Sequence, residues 1–308
     1  KISVLVDFDH MPTEADEQLL IDEVGFDPSW RFHHIPIIAG TIETGLLDEL
    51  LEVEGVVFLT LNGEMRMTLD NAIGIHHVDT VWDYGYTGEG ISIAIIDTGI
   101  DPLHVGLNDM DDDPLTNDPK VVAFYDALDD SGDNGDGTTE PYDDQGHGSH
   151  CAGISAGTGA VEEGPMSDGS KPYRGVAPDA WLVGVKVLDS GGSGSFAEVM
   201  RGMEWTIDNQ IKYNIRAASM SLGGVWLVEL TQEQEERITH LANEMVAAGI
   251  SLMIAAGNSA AYGTIGTPGA AKDVITVGAT EDSKDLAVYS SKGPTHEGQI
   301  KPNVAAIG

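Results

Sequence analysis

The chain of 308 residues contains a single cysteine, Cys151. No intrachain disulfide can form, so stability must come from buried apolar surface, and no redox compartment can be read from bridges. Positive charge is scarce too: 15 Lys and Arg stand against 51 Asp and Glu, a formal net charge of −36. Such a surface repels phosphates, which excludes nucleic acid as a partner class. Two readings account for the excess: an acidic protein with calcium-binding loops, or adaptation to high salt, where screening removes self-repulsion. No apolar run approaches the ~18 residues that a membrane span needs. Lys1 opens on a strand-like segment rather than a signal peptide, so any targeting leader is expected outside this sequence. What is present is 41% hydrophobic residues, enough to build a core and to argue against disorder.

Residues 1 to about 70 read as one small unit. Ile2–Val6 alternates as a strand, Glu14–Val24 has helical apolar spacing, and Phe32–Ile38 is strand-like. Gly45–Leu51 reads as helical, and Val56–Leu61 as a strand that turns at Asn62-Gly63 into Met65–Met67. This predicts a small open-faced α/β sandwich, followed by a linker over 71–89. From residue 90 to 308 the apolar runs Ile91–Ile96, Trp181–Leu188, Ala217–Ser221, Ile250–Ala256 and Val274–Val277 alternate with helical patterns at His147–Gly157, Phe196–Gln210 and Thr231–Ala248. Continuous apolar strands separated by helices predict an α/β fold with a parallel sheet covered on both faces.

Two blocks carry chemistry. Ile95-Ile96-Asp97-Thr98-Gly99 puts a carboxylate at the carboxyl end of a buried strand, where open α/β sheets gather functional groups. Gln145-Gly146-His147-Gly148-Ser149-His150-Cys151 puts an imidazole at a glycine-flanked loop-to-helix junction, where the glycines are expected to admit a substrate backbone. A carboxylate that fixes an imidazole tautomer is two thirds of a nucleophilic hydrolysis triad. Ala255-Ala256-Gly257-Asn258 adds an amide after another buried strand.

These blocks, with Gly175-Val176-Ala177-Pro178, Val185-Lys186-Val187-Leu188 and Ser219-Met220-Ser221-Leu222-Gly223, resemble the subtilisin-like serine proteases (subtilases) in order and spacing over residues 88–308. Residues 1–70 resemble, by pattern and position, the inhibitory propeptide domain that precedes many subtilase catalytic domains. The resemblance implies a secreted serine endopeptidase in its proform, acting on protein or peptide substrates and held inactive by its own propeptide. By the same resemblance Asp97 orients the imidazole, His147 is general base and then general acid, and Asn258 donates to the oxyanion. Gly192, Ser193 and Gly194 on one side, and Ser221, Leu222 and Gly223 on the other, become the two edges that hold an extended substrate. The propeptide is expected to lay its last strand and tail, around Met65 to Asn71, in that cleft.

One departure matters. The family's nucleophile lies in a Gly-Thr-Ser-Met-Ala block, and no Gly-Thr-Ser occurs in these 308 residues. Lys301-Pro302-Asn303-Val304-Ala305-Ala306-Ile307-Gly308 resembles the segment that precedes that block. The nucleophile is therefore expected from a segment beyond Gly308, continuous or nicked, and this polypeptide by itself is expected to be inactive. A catalytically inactive, peptide-binding subtilase-like protein is the alternative. Gly153-Ile154-Ser155-Ala156-Gly157 fits Gly-x-Ser-x-Gly, but Ser155 falls inside a helix rather than at a strand-to-helix elbow.

The Asp- and Gly-rich stretch 129–144 offers hard oxygens in a flexible loop, as calcium prefers, with Asp129, Asp133 and Asp136 as candidate ligands and Asp143-Asp144 close by. No organic cofactor is expected. Cys151, one helical turn after His147, reads as a small buried thiol that would let mercurials perturb the imidazole. His147, His150 and Cys151 have a zinc-like spacing, which the glycine-rich setting disfavours. Met200, Met203 and Trp205 read as core.

Overall fold

The computed structural model describes residues 1–62, 64–67, 78–111, 115–116, 118–128, 132–160, 174–223, 232–281 and 285–307. The first 62 residues form β1 (Ile2–Phe8), α1 (Glu14–Val24), β2 (Asp27–Arg31), β3 (Ile37–Ile42), α2 (Leu47–Leu51) and β4 (Val56–Leu61), a separate antiparallel sheet in the order β2-β3-β1-β4. Strand side chains alternate between faces, and β1 uses both. Val4, Val6 and Phe8 pack with Leu20, Val24 and Leu50 in the unit's own core. Leu5 points the other way, into a second core shared with residues beyond 90. Asp7 follows Leu5 by two and is equally buried, at 1% exposure.

The strand expected over Phe32–Ile38 is instead split. Phe32 to Pro36 is a turn between β2 and β3, closed by Phe32 N–H to the Ile37 carbonyl at 3.0 Å, with Phe32 and Ile35 buried. Beyond β4 comes β5 (Glu64–Met67), which makes no hairpin with β4. Residues 68–77 of the expected linker lie outside the described residues, and its later part contains a helix, α3 (Val78–Asp83).

The larger part contains β6 (Ser92–Asp97), β7 (Val121–Asp126), α4 (His147–Ala156), β8 (Trp181–Lys186), β9 (Ser193–Ser195), α5 (Phe196–Asn209), β10 (Ile215–Met220), β11 (Leu222–Gly223), α6 (Gln232–Ala247), β12 (Ser251–Ala255), β13 (Ile275–Thr280) and β14 (Val304–Ile307). Seven of these strands make one parallel sheet, in the order β14-β13-β12-β10-β6-β8-β7. Every residue of β6 is buried, because both faces are covered. Ala94 and Ile96 enter a core with Met200, Met203, Leu241 and Met245 of α5 and α6, while Ile93 and Ile95 meet Cys151, Ala152 and Ala156 of α4. This is the expected subtilisin-like α/β architecture. The chain builds β7 and β8 on one side of β6 and β10, β12, β13 and β14 on the other, so the topological switch lies at the carboxyl end of β6, where α/β sheets bind ligands. No described helix is long and apolar enough to cross a membrane.

Candidate active site

Asp97 ends β6 and is 1% exposed; His147 opens α4, fifty residues later. The His147 ring Nδ1 lies 2.8 Å from Asp97 Oδ1 and 3.0 Å from Oδ2. Asp97 Oδ1 also accepts the Thr98 N–H at 2.7 Å, so the carboxylate cannot rotate away. Burial, the largest single influence, opposes charging of the imidazole, but the hydrogen bond to Asp97, the Cys151 sulfur and the Asp97 charge together outweigh it; His147 binds its proton more tightly than a free imidazole. Cys151 is buried, with Sγ 3.8 Å from His147 Nδ1, and belongs with Asp97 and His147 to a group able to converge on a soft metal. His150 is exposed and lies outside that group.

The loop that delivers His147 is tied to the Asp97 turn. Thr98 Oγ1 accepts the Gly148 N–H at 2.8 Å and donates to Asp143 Oδ1 at 2.9 Å. Asp143 also accepts the N–H groups of Gln145, Gly146 and Ser149 and the Ser149 hydroxyl. Burial pushes the Asp143 carboxyl up, yet these bonds together outweigh it and hold it below the ordinary carboxylate range. Asp143 thus serves the loop before His147 with both oxygens, which the sequence reading had set near calcium. Gly148 also has a packing role. A Cβ there would lie 2.1 Å from the Gly99 carbonyl oxygen, so its bareness lets the helix start press on the Asp97 turn.

Beside this pair lies a second, three-stranded sheet, β11-β5-β9, antiparallel throughout. Arg66 pairs with Ser193 and Gly223, Met65 with Gly194, and Met67 with Leu222. The segment Glu64–Met67 therefore occupies the place between the two edges predicted to hold an extended peptide. Gly192, at φ +74°, turns the chain into β9, and Ser221 links β10 to β11; neither joins the ladder. The root of β9 starts at the reactive pair, since the N–H groups of Val187 and Leu188 donate to the Asp97 carbonyl at 2.8 and 3.2 Å. Asn258 is exposed three residues past β12, on the same sheet rim.

The Asp-rich loop is closed by its own hydrogen bonds. Asp129 lies outside the described residues. Asp133 accepts the Asp126 and Gly135 N–H groups, and Asp136 accepts from Thr138 and Asn134, so both close local turns. Trp205, buried as predicted, donates to the Gly135 carbonyl at 2.7 Å and pins this loop to α5. The acidic groups that do converge among the described residues are Asp109, Asp111 and Asp118. Sequence reasoning missed Lys186 as more than a motif position, and also missed Glu204 and Arg237. For Lys186 the signal was a lysine in the middle of an apolar run; for the other two no local signal existed.

A model of the subtilase family (Peptidase_S8) matches residues 88–308. Serine protease AprX of Bacillus subtilis (strain 168) is 36% identical across all of this chain and 68% of that protein. Subtilisin E of the same strain is 29% identical over 91% of this chain and 65% of its own length. Subtilisin DY of Bacillus licheniformis is 32% identical over 73% of this chain and 69% of its own. The chain thus spans about two thirds of the length of these curated relatives.

Proposed function

We propose that this chain, which belongs to the subtilase family, is the proform of a secreted serine endopeptidase, with residues 1–70 as inhibitory propeptide, 71–89 as linker and 90–308 as the first part of the catalytic domain. The observation that carries it is an imidazole gripped by a buried carboxylate beside a backbone groove that already holds a peptide strand. Asp97 accepts from Nδ1 and so leaves Nε2 to take the proton of an attacking hydroxyl and return it to the leaving amine. The Asn258 amide would face the developing oxyanion, a contact worth about 3–4 kcal/mol in such sites. The nucleophile would be a serine in a Gly-Thr-Ser segment following Gly308, and the 308-residue polypeptide would not turn over alone. The β5 strand, donated by the chain itself, fills the groove as a substrate would and supports the inhibitory role of the N-terminal unit.

A fluorophosphonate probe applied to the full-length protein tests this. It should label one serine, and His147→Ala should abolish labelling. A folded, secreted full-length protein that takes no label would replace this reading with the peptide-binding, inactive one.

A calcium ion in the Asp-rich loop 129–136 and adaptation to high salt complete the proposal; both would relieve the −36 net charge. The midpoint of thermal unfolding should rise by several degrees with millimolar calcium, and again between low and molar sodium chloride. A midpoint indifferent to both ions would remove this part.

A further inference from the structure

Lys186 is wholly buried at the carboxyl end of β8, in register with Asp97 on β6. A buried ammonium is tolerated only when its hydrogens find acceptors. Here the three acceptors come from three separate segments. Nζ donates to the Thr98 carbonyl at 2.6 Å, to Asp144 Oδ1 at 2.6 Å and to the Leu188 carbonyl at 2.8 Å. The first belongs to the turn that follows Asp97. The second lies three residues before His147. The third is the root from which the chain runs through Asp189 into β9. The Tyr142 ring adds a face 5.1 Å from Nζ.

The other buried lysines among the described residues bind elsewhere. Lys120 donates to the Pro178 and Ala180 carbonyls, and Lys301 to the Val274 carbonyl and Asn303, none of them near the Asp97 turn.

We propose that Lys186 is a positioning residue: its ammonium fixes the Asp97 turn, the His147 loop and the substrate-edge strand β9 in one mutual geometry. It touches no reacting atom and acts through the groups it spaces. This inference rests on the endopeptidase reading. A displacement of about 1 Å in such a constellation costs on the order of 100-fold in rate, while the β9 and β11 backbone edges go on binding an extended peptide. The signature is therefore a fall in kcat with little change in KM.

The test uses two variants in the full-length protein. Lys186→Met keeps the volume and removes all three ties. Asp144→Ala acts from the half-exposed side of the contact, removing only the tie to the His147 loop and sparing the buried side chain. We expect kcat to fall about 100-fold in the first and about tenfold in the second, with KM within about threefold. In the 308-residue chain, the His147 Nδ1 proton resonance should shift or broaden in both, a readout that needs no turnover. Folded variants that keep kcat within twofold and leave that resonance unmoved would overturn the proposal, whatever their melting temperatures. If Lys186→Met does not fold, Asp144→Ala decides alone. If the wild-type full-length protein cleaves nothing, the endopeptidase reading fails, and the resonance still reports whether Lys186 sets the pair.

Discussion

Replacing Asp97 by asparagine in the full-length protein is expected to lower kcat by about four orders of magnitude, with KM changed by no more than a few-fold. The geometry gives the reason. Asp97 Oδ1 accepts from both the Thr98 N–H and His147 Nδ1, and Oδ2 lies 3.0 Å from Nδ1. An asparagine has one carbonyl oxygen and one NH2 group. The fixed Thr98 N–H demands the oxygen, which turns the NH2 toward the imidazole. With that donor at the Oδ2 position, 3.0 Å from Nδ1, the tautomer that accepts at Nδ1 and carries its proton on Nε2, the atom that should receive the hydroxyl proton, is favoured over the productive one. The ring stays in place but in the wrong tautomer. The same change also removes the charge that makes the imidazole more basic. Steady-state kinetics on a peptide substrate, with the fold checked by circular dichroism, measure the effect. A folded variant losing less than about tenfold would remove Asp97 from the proposed mechanism.

How much of this could be read from letters depends on the range of the interactions involved. The central strand β6 is apolar at four of its six positions and buried at every one, so Ile93 to Ile96 declare it locally. His147 and Asp97 were each legible at their own positions, and only their 2.8 Å approach needed the fold. Val121–Asp126 forms β7 with little local signal, being short and flanked by acidic loops. The segment after Asn62 shows what local reading misses. Asn-Gly is a hairpin signal, yet β5 pairs with strands some 130 to 155 residues away, because the edges of β9 and β11 offer it two ladders and β4 would offer one. The packing of Gly148 on the Gly99 carbonyl is invisible to a local reading. Lys186 and Asp143 act through hydrogen bonds that skip 88 and 45 residues, and no periodicity encodes these.

Arg237→Ala is expected to loosen the N-terminal unit by about 100-fold in its docking equilibrium, and the argument starts from the alternation of β1. Leu5 and Asp7 share the face that turns away from the unit's own core, so an acidic side chain is carried into the junction with α5 and α6. There Asp7 forms an ion pair with Arg237 of α6. Nearby, Glu204 of α5 accepts the backbone N–H groups of His33 and His34, and Arg201 lies over the Trp30 ring. Removing one partner of a buried pair leaves an uncompensated charge and costs about 3–5 kcal/mol. Arg237 is 32% exposed, so water reaches part of the pair and the lower end applies, about 3 kcal/mol or roughly 100-fold. Undocking must release β5, so the amides of the β9 and β11 ladder should exchange with deuterium about 100-fold faster in Arg237→Ala than in the wild-type 308-residue chain. The double change Asp7→Asn with Arg237→Ala should recover most of that loss, because no unpaired charge then enters the junction, and the recovery separates the ion pair from simple loss of side-chain packing. Exchange rates that stay at wild-type values in Arg237→Ala would mean that the apolar contact of Leu5, Ile35 and Ile37 with α5 and α6 holds the unit without help from charge.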